Sequence, residues 1–272
     1  MLPIIIENPL ITKVNREQSV SDYQESAWKA EMAAAFSSAG ELLAYLGLPL
    51  DHRPANEGVM RQFPLRVTAA FASRMKKGDP DDPLLLQVLP LSDELLETVG
   101  YGANPVGDLQ AIAAPGLLHK YHGRALLIVT GACAINCRYC FRREFPYSDG
   151  QLTRSRFPEA LEHIARDANI AEIILSGGDP LMLDDGRLTG LLEAIEAIPH
   201  VSRLRLHTRL PIVLPSRITK ELQQILAGTR LKPVMVIHAT IPTNLTPRSG
   251  SPCQTCEMLE WLCLTSRFCS KG

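Results

Sequence analysis

The stretch "RALLIVTGACAINCRYCFRREFPY", Arg124 to Tyr147, joins a short apolar, β-branched run to a loop with three cysteines. The run "RALLIVT" has the composition of a strand, and Cys133, Cys137 and Cys140 follow it at once. Structural zinc sites generally take four ligands, with Cys-x2-Cys knuckles in pairs. Here Cys137 and Cys140 form one such knuckle, a third thiol lies four residues upstream, and no obvious fourth ligand is nearby. Iron–sulfur clusters are held by cysteine thiolates, and three thiolates on a four-iron cubane leave one iron open to a non-protein ligand. The simpler account is three unrelated buried cysteines, since a free cysteine packs as a small hydrophobe. Asn136, Arg138, Arg142 and Arg143 make the loop too polar for that account.

Outward from this loop the pattern repeats. "AEIILSGGDP" (171–180), "SRLRLHTRLPIV" (202–213) and "LKPVMVIHA" (231–239) are further strand candidates. Between them lie helical stretches: "FPEALEHIARDA" (157–168), "RLTGLLEAIEAI" (187–198) and "SRITKELQQILAG" (216–228). Strands alternating with helices of that length predict βαβ units and a parallel sheet. The residues of chemical interest fall just after strand ends: the cysteines, then Gly177 to Pro180, then His207 to Arg209. In α/β barrels that is the face on which active sites are built.

Upstream the pattern is helical. "SVSDYQESAWKAEMAAAF" (19–36) has serine caps and 3.6-residue apolar spacing, "AGELLAYLGL" (39–48) ends at Gly47 and Pro49, and "FPLRVTAAFASRMKKGDPDDP" (63–83) reads as a third helix. The 272 residues thus divide into an α-helical N-terminal region (1–105), an α/β core (106–239) and a tail (240–272). A formal net charge of −1 gives no electrostatic case for nucleic acid as a partner. No window approaches the roughly 18 uncharged apolar residues of a membrane span, and "MLPIIIENPLITK" is broken by Pro3, Glu7 and Pro9, unlike a signal peptide. The expected location is the cytoplasm, where stable disulfides are rare and clustered cysteines point to metal or redox chemistry.

The remaining motifs are weaker alone. The glycines of "SGGDP" let a ligand approach the backbone, and unpaired N–H groups there suit a carboxylate or phosphate; an ordinary βα turn uses glycine as well. "KYHGR" (120–124) puts Tyr121 and Arg124 at the entrance to the first strand, where an arginine fork suits an anion. A solvated strand edge accounts for them equally well. His207 and Arg209 in "RLHTRLP" stay similarly open, with a lone histidine in a strand reading first as structural.

Together, Cys-x3-Cys-x2-Cys after one strand and "SGGDP" after the next resemble the radical S-adenosylmethionine superfamily. "APGLLHKYHGRALL", "CRYCFRREFPY", "ILSGGDPLM" and "IPHVSRLRLHTRLPIVLPSRIT", in this order, resemble its lysine 2,3-aminomutase family, and within it the branch that makes (R)-β-lysine for elongation factor P. The resemblance implies a partial (β/α) barrel of TIM type and a [4Fe-4S] cluster on Cys133, Cys137 and Cys140. It implies that S-adenosylmethionine chelates the open iron, lined by Gly177, Gly178 and Asp179. Tyr121 and Arg124 would lie near the phosphate of pyridoxal 5′-phosphate, and Arg142 would hold the carboxylate of L-lysine. The implied reaction cleaves the sulfonium to a 5′-deoxyadenosyl radical, which takes a β-hydrogen from lysine so that its nitrogen moves from C2 to C3. Partners would be lysine and enzymes of the elongation factor P pathway.

The tail departs from the family. "TIPTNLTPRSGSPCQTCEMLEWLCLTSRFCSKG" has no amphipathic period and holds Cys253, Cys256, Cys263 and Cys269. The family continues further and carries its pyridoxal lysine there; Lys220, Lys232 and Lys271 stand in no matching motif. For one choice of synonymous codons, a one-base shift turns "TIPTN" into Asn-His-Pro-Asn-Glu and "TSRFCSKG" into Asn-Gln-Ser-Val-Leu-Leu-Lys-Gly, both family-like. The expectation is therefore a frameshifted tail on an incomplete barrel that exposes sheet edge and dissolves poorly. The alternatives are a tail binding zinc through its four thiols and a remnant that binds cluster and S-adenosylmethionine without catalysis. Resequencing codons 236–272 is expected to find one base missing; an intact frame would leave the tail as a true product.

Overall fold

A computed structural model describes residues 27–50, 57–153 and 156–240. The tail from residue 241, with its four cysteines and Lys271, lies outside the described residues, as does the first part of the helix expected over 19–36.

Six strands form one sheet in sequence order: β1 (Ile112–Ala114), β2 (Leu117–Tyr121), β3 (Arg124–Thr130), β4 (Glu172–Gly177), β5 (Arg203–Thr208) and β6 (Lys232–Ile237). From β3 to β6 all pairing is parallel, and the sheet does not close on itself. Three crossovers carry the helices α2 (Phe157–Arg166), α3 (Asp185–Glu196) and α4 (Lys220–Gly228), after α1 (Ala39–Leu46) in the N-terminal region. This is the expected partial barrel. Asp184 and Thr219 cap α3 and α4, each accepting a backbone N–H of the first turn.

Strand alternation sorts side chains between two faces. Leu127, Ile173, Leu175, Leu204 and Leu206 pack into the main core, which they share with α3 and with Leu42, Leu46 and Phe71 of the N-terminal region. The opposite parity, Leu126, Ile174, Ser176, Arg205 and His207, lines a cavity inside the curved sheet. β4 is buried along its whole length, as a central parallel strand should be.

Three expectations need correction. β1 and β2 were not foreseen: they form antiparallel hairpins with each other and with β3, around Pro115–Gly116 and His122–Gly123. Gly116 (φ 75°) and Gly123 (φ 81°) take the left-handed backbone that a type II turn needs in its second place. The helix expected over 63–83 shrinks to Ala69–Ala72, because Phe36 and Val67 pair as a β-bridge and Thr68 starts the turn by accepting the N–H of Phe71. Residues 84–111 hold only 3-10 turns and loops, so the N-terminal region is not wholly helical. Finally, the strand expected over 202–213 ends at Thr208, and Leu210–Val213 is a single buried helical turn.

The seam between the cysteine loop and the β4 turn fixes the site. The Gly178 N–H donates to the Thr130 carbonyl (2.7 Å) and the Asp179 N–H to that of Ala132 (2.8 Å). A Cβ on Gly177 (φ 119°) would stand 2.3 Å from the Thr130 oxygen, and one on Gly178 2.3 Å from the Ala132 oxygen. Gly178→Ala is therefore expected to cost at least about 1–3 kcal/mol, the range for overpacking against structure that cannot yield. By contrast, Gly190→Ala, exposed in α3 with no atom within 4 Å of an added Cβ, should gain about 0.5–1 kcal/mol. Urea unfolding midpoints of the two variants test both signs.

Candidate active site

All nine site residues expected from the sequence line one cavity of about 880 Å³: Cys133, Cys137, Cys140, Gly177, Gly178, Asp179, Arg142, Tyr121 and Arg124. They do not share one end. The cysteines and the β4 turn stand at the C-terminal ends of the parallel strands. Tyr121 and Arg124 face each other across the hairpin at the N-terminal end of β3, the guanidinium 5.4 Å from the phenol ring centre. The seven residues of β3 separate the two ends by roughly 20 Å at the usual strand rise.

The polar residues of the cysteine loop tie it to the N-terminal region. The Asn136 side chain donates to the Pro64 carbonyl (2.9 Å), and the Arg138 N–H to that of Gln87 (2.8 Å). Arg138 also forks onto Glu94, which pairs with Arg143 as well. Burial alone would raise the Glu94 pKa, but hydrogen bonds from Arg138, Leu91 and Arg143 outweigh it and hold the carboxyl below its usual range.

Cys133, Cys137 and Cys140 are free thiols. Burial pushes the Cys133 thiol well up, helped by the negative charge of Asp179 and by the two other cysteines; burial likewise raises Cys140. Such thiols stay protonated until a metal displaces the proton. Among the described residues no group of three His, Cys, Asp or Glu could hold a single metal ion. Three mutually influencing thiols lining one cavity are a donor set that suits a multi-iron cluster, held by thiolates.

The β4 turn acts differently from expectation. The backbone N–H groups of Gly178 and Asp179 are spent on the cysteine loop and are not left for an anion. The Asp179 carboxylate turns into the protein, accepting from Thr208 Oγ1 (2.7 Å), the Arg209 N–H (2.7 Å) and the Leu181 N–H (3.1 Å). Burial raises its pKa to about 6 against these hydrogen bonds.

Arg142 is buried. Its Nε donates to Asp108 Oδ2 (2.7 Å) and its Nη1 to Ser176 Oγ (2.8 Å). Asp108 also binds Lys120 (2.5 Å). Burial would raise the Asp108 pKa, yet the hydrogen bonds from Lys120 and Arg142 carry it below the usual value. One carboxylate between two cations leaves a positive surplus. Over the whole cavity five cationic side chains face two acidic ones, Asp108 and Asp179. The near-neutral chain thus concentrates positive charge where anionic ligands would sit.

Sequence reasoning missed Asp108 and Ser176 as partners of Arg142, Lys120 as a partner of Asp108, and His238 as a cavity residue; Arg209, singled out at the end of its strand, does line the cavity. Ser176 and Lys120 had a usable signal, since both stand inside quoted motifs, "SGGDP" and "KYHGR". Asp108 had none; it lies in a loop without periodicity.

These features define a class. Residues 127–228 match the Radical SAM superfamily profile. Over 212 residues the chain is 46% identical to the L-lysine 2,3-aminomutase of Escherichia coli (strain K12), which covers 78% of this chain and 62% of that protein. It is 43% identical over 222 residues to the L-lysine 2,3-aminomutase of Haemophilus influenzae, covering 82% and 66%. With that of Clostridium subterminale it shares 30% identity over 239 residues, 87% and 57%. The chain belongs to the radical SAM superfamily and, within it, to the lysine 2,3-aminomutase family. It spans 57–66% of the length of these relatives.

His207 provides a test of the cavity's electrostatics. Burial, the neighbouring His238 and then Arg205 lower its pKa to about 4 from 6.5. The folded state therefore refuses a proton that the unfolded state accepts below pH 6.5. The stability linked to neutral His207 is complete above that pH and lost as pH falls toward 4. The stability of wild type relative to His207→Gln should drop between pH 7 and pH 5, read from urea midpoints; an unchanged difference would mean that the ring stays solvated.

Proposed function

We propose that Cys133, Cys137 and Cys140 hold a [4Fe-4S] cluster, that S-adenosylmethionine completes it, and that the family reaction converts L-lysine to β-lysine. The carrying observation is the single cavity that joins the three thiols at one end to Arg142 in its interior and to Tyr121 and Arg124 at the other. When bound, the cluster and S-adenosylmethionine would supply one-electron cleavage of a sulfonium, and pyridoxal 5′-phosphate a carbonyl able to carry an amino nitrogen between carbons.

The chain's own residues divide the remaining work. Gly177 and Gly178 let the cysteine loop lie against β4, and Asp179 locks that turn to the end of β5. Arg142 offers a substrate carboxylate the N–H groups not taken by Asp108 and Ser176, and those two fix the plane of its fork. Tyr121 and Arg124 fit the phosphate of pyridoxal phosphate in charge and hydrogen-bonding capacity. Among the described residues Lys120 is the lysine that lines the cavity, and it is ion-paired with Asp108. Neither Lys220 nor Lys232 lines it.

The motif resemblance supports the finer reading that the product is (R)-β-lysine for elongation factor P. A cytoplasmic site of action accords with three unpaired thiols. Among the described residues no helix is long and apolar enough to cross a membrane.

Anaerobically reconstituted protein should carry about four irons, as a cubane requires, and Cys137→Ala should lose them. With reductant, S-adenosylmethionine and pyridoxal phosphate it should form β-lysine. Arg142→Gln should lower kcat/KM for lysine roughly 10- to 150-fold, the loss of one charged hydrogen bond at about 1.5–3 kcal/mol. Retention of iron by Cys137→Ala would sink the three-cysteine site. Iron uptake and S-adenosylmethionine binding with neither cleavage nor β-lysine would select the non-catalytic remnant instead.

A further inference from the structure

Arg209 is the first residue after β5, and its guanidinium is buried against the cysteine loop, 7% exposed. Nη1 donates to the Cys137 sulfur at 2.8 Å, and Nη2 donates to Gln87 Oε1. The guanidinium is flanked by two rings, Phe71 with its centre at 5.2 Å and Tyr139 at 5.6 Å. Its backbone N–H is held by Asp179 (2.7 Å). Four groups thus hold the side chain in place and a fifth holds its backbone.

What this cation lacks is a counter-charge. Among the described residues no carboxylate stands within ion-pair distance of the Arg209 guanidinium, and its Nε is buried with no hydrogen-bond partner. A buried charge left uncompensated is costly, and an arginine cannot relieve the cost by losing its proton. Its sulfur partner is one of the three thiols assigned above to the cluster. A thiolate cluster at that position would provide the missing negative charge.

We propose that Arg209 is a positioning and tuning residue for the cluster, holding the Cys137 thiolate in place and raising the reduction potential through its fixed positive charge. This rests on the cluster reading above. One-electron reduction makes the cluster more negative, so a cation at hydrogen-bond distance favours the reduced state over the oxidised one. Hydrogen bonds to the sulfurs and net charge are established levers on such potentials, and the effect is strong where water is excluded. Phe71 and Tyr139 supply that exclusion by covering the guanidinium faces.

The experiment uses the full chain, anaerobically reconstituted, with the cluster alone and no S-adenosylmethionine. Midpoint potentials from redox titrations followed by electron paramagnetic resonance are compared for wild type, Arg209→Lys and Arg209→Gln at matched iron content. Arg209→Gln is expected to shift to a more negative potential, and Arg209→Lys to stay closer to wild type because it keeps the charge. An Arg209→Gln potential equal to wild type at full iron would overturn the proposal. If Arg209→Gln loses iron or fails to fold, the wild type decides. Protein labelled with 15N-guanidino arginine should show a 15N hyperfine coupling to the reduced cluster in pulsed resonance, absent from Arg209→Lys, and no such coupling would overturn it. Wild type that takes up no iron would instead overturn the cluster reading on which the proposal stands.

Discussion

Two backbone hydrogen bonds and two absent side chains hold this site together. The Thr130 and Ala132 carbonyls accept from Gly178 and Asp179, and the contact is so close that a Cβ on either glycine would meet a carbonyl oxygen at 2.3 Å. With the cysteine loop fixed against the end of β4, Asp179 is placed to reach across to Thr208 and the N–H of Arg209. The ends of β3, β4 and β5 are thus stapled in series. Its Asp179–Thr208–Arg209 part is polar and buried, so each bond there is worth more, and each loss costs more, than on a surface.

The N-terminal region completes the staple from the other side. Asn136, Arg138 and Arg143 look, in sequence, like the polar surface of a loop. In the fold they are ties to Pro64 and Glu94, and the two arginine side chains are largely removed from solvent. The Arg209 side chain makes a comparable bridge, through Gln87 and the Phe71 ring. The cavity therefore depends on residues far upstream of the cysteines, from Pro64 to Glu94. Its local charge is positive although the chain as a whole is nearly neutral.

Kinship with the lysine 2,3-aminomutases frames this arrangement, and under the proposed function its parts share the labour. The thiols and the arginine of β5 stand at one end, the Asp108–Arg142–Ser176 network lies in the interior, and the cationic hairpin of Tyr121 and Arg124 closes the far end. A long cavity with distinct ends can take an electron-transfer centre and a substrate carrier without mixing their ligands. The strand between them sets the distance.

Much of this was legible in the sequence. Strand and helix alternation from residue 124 onward follows local composition, and the spacing of three cysteines is a property of one short loop. The partial parallel barrel and the candidate ligands could therefore be read directly. The hairpins of β1 and β2 escaped because three- and five-residue strands carry too little periodicity, although Pro115–Gly116 and His122–Gly123 marked their turns. The helix expected over 63–83 gave way to a bridge between Phe36 and Val67, a long-range pairing that local propensity cannot see. The glycines of "SGGDP" were recognised as needed for close approach, but only the tertiary structure showed what approaches: the cysteine loop itself. In the same way, the charge that faces Cys137 and the carboxylate that steers Arg142 come from distant segments. Sequence fixes which groups are present and how strands and helices alternate; folding decides which buried charges meet, because that depends on packing between elements.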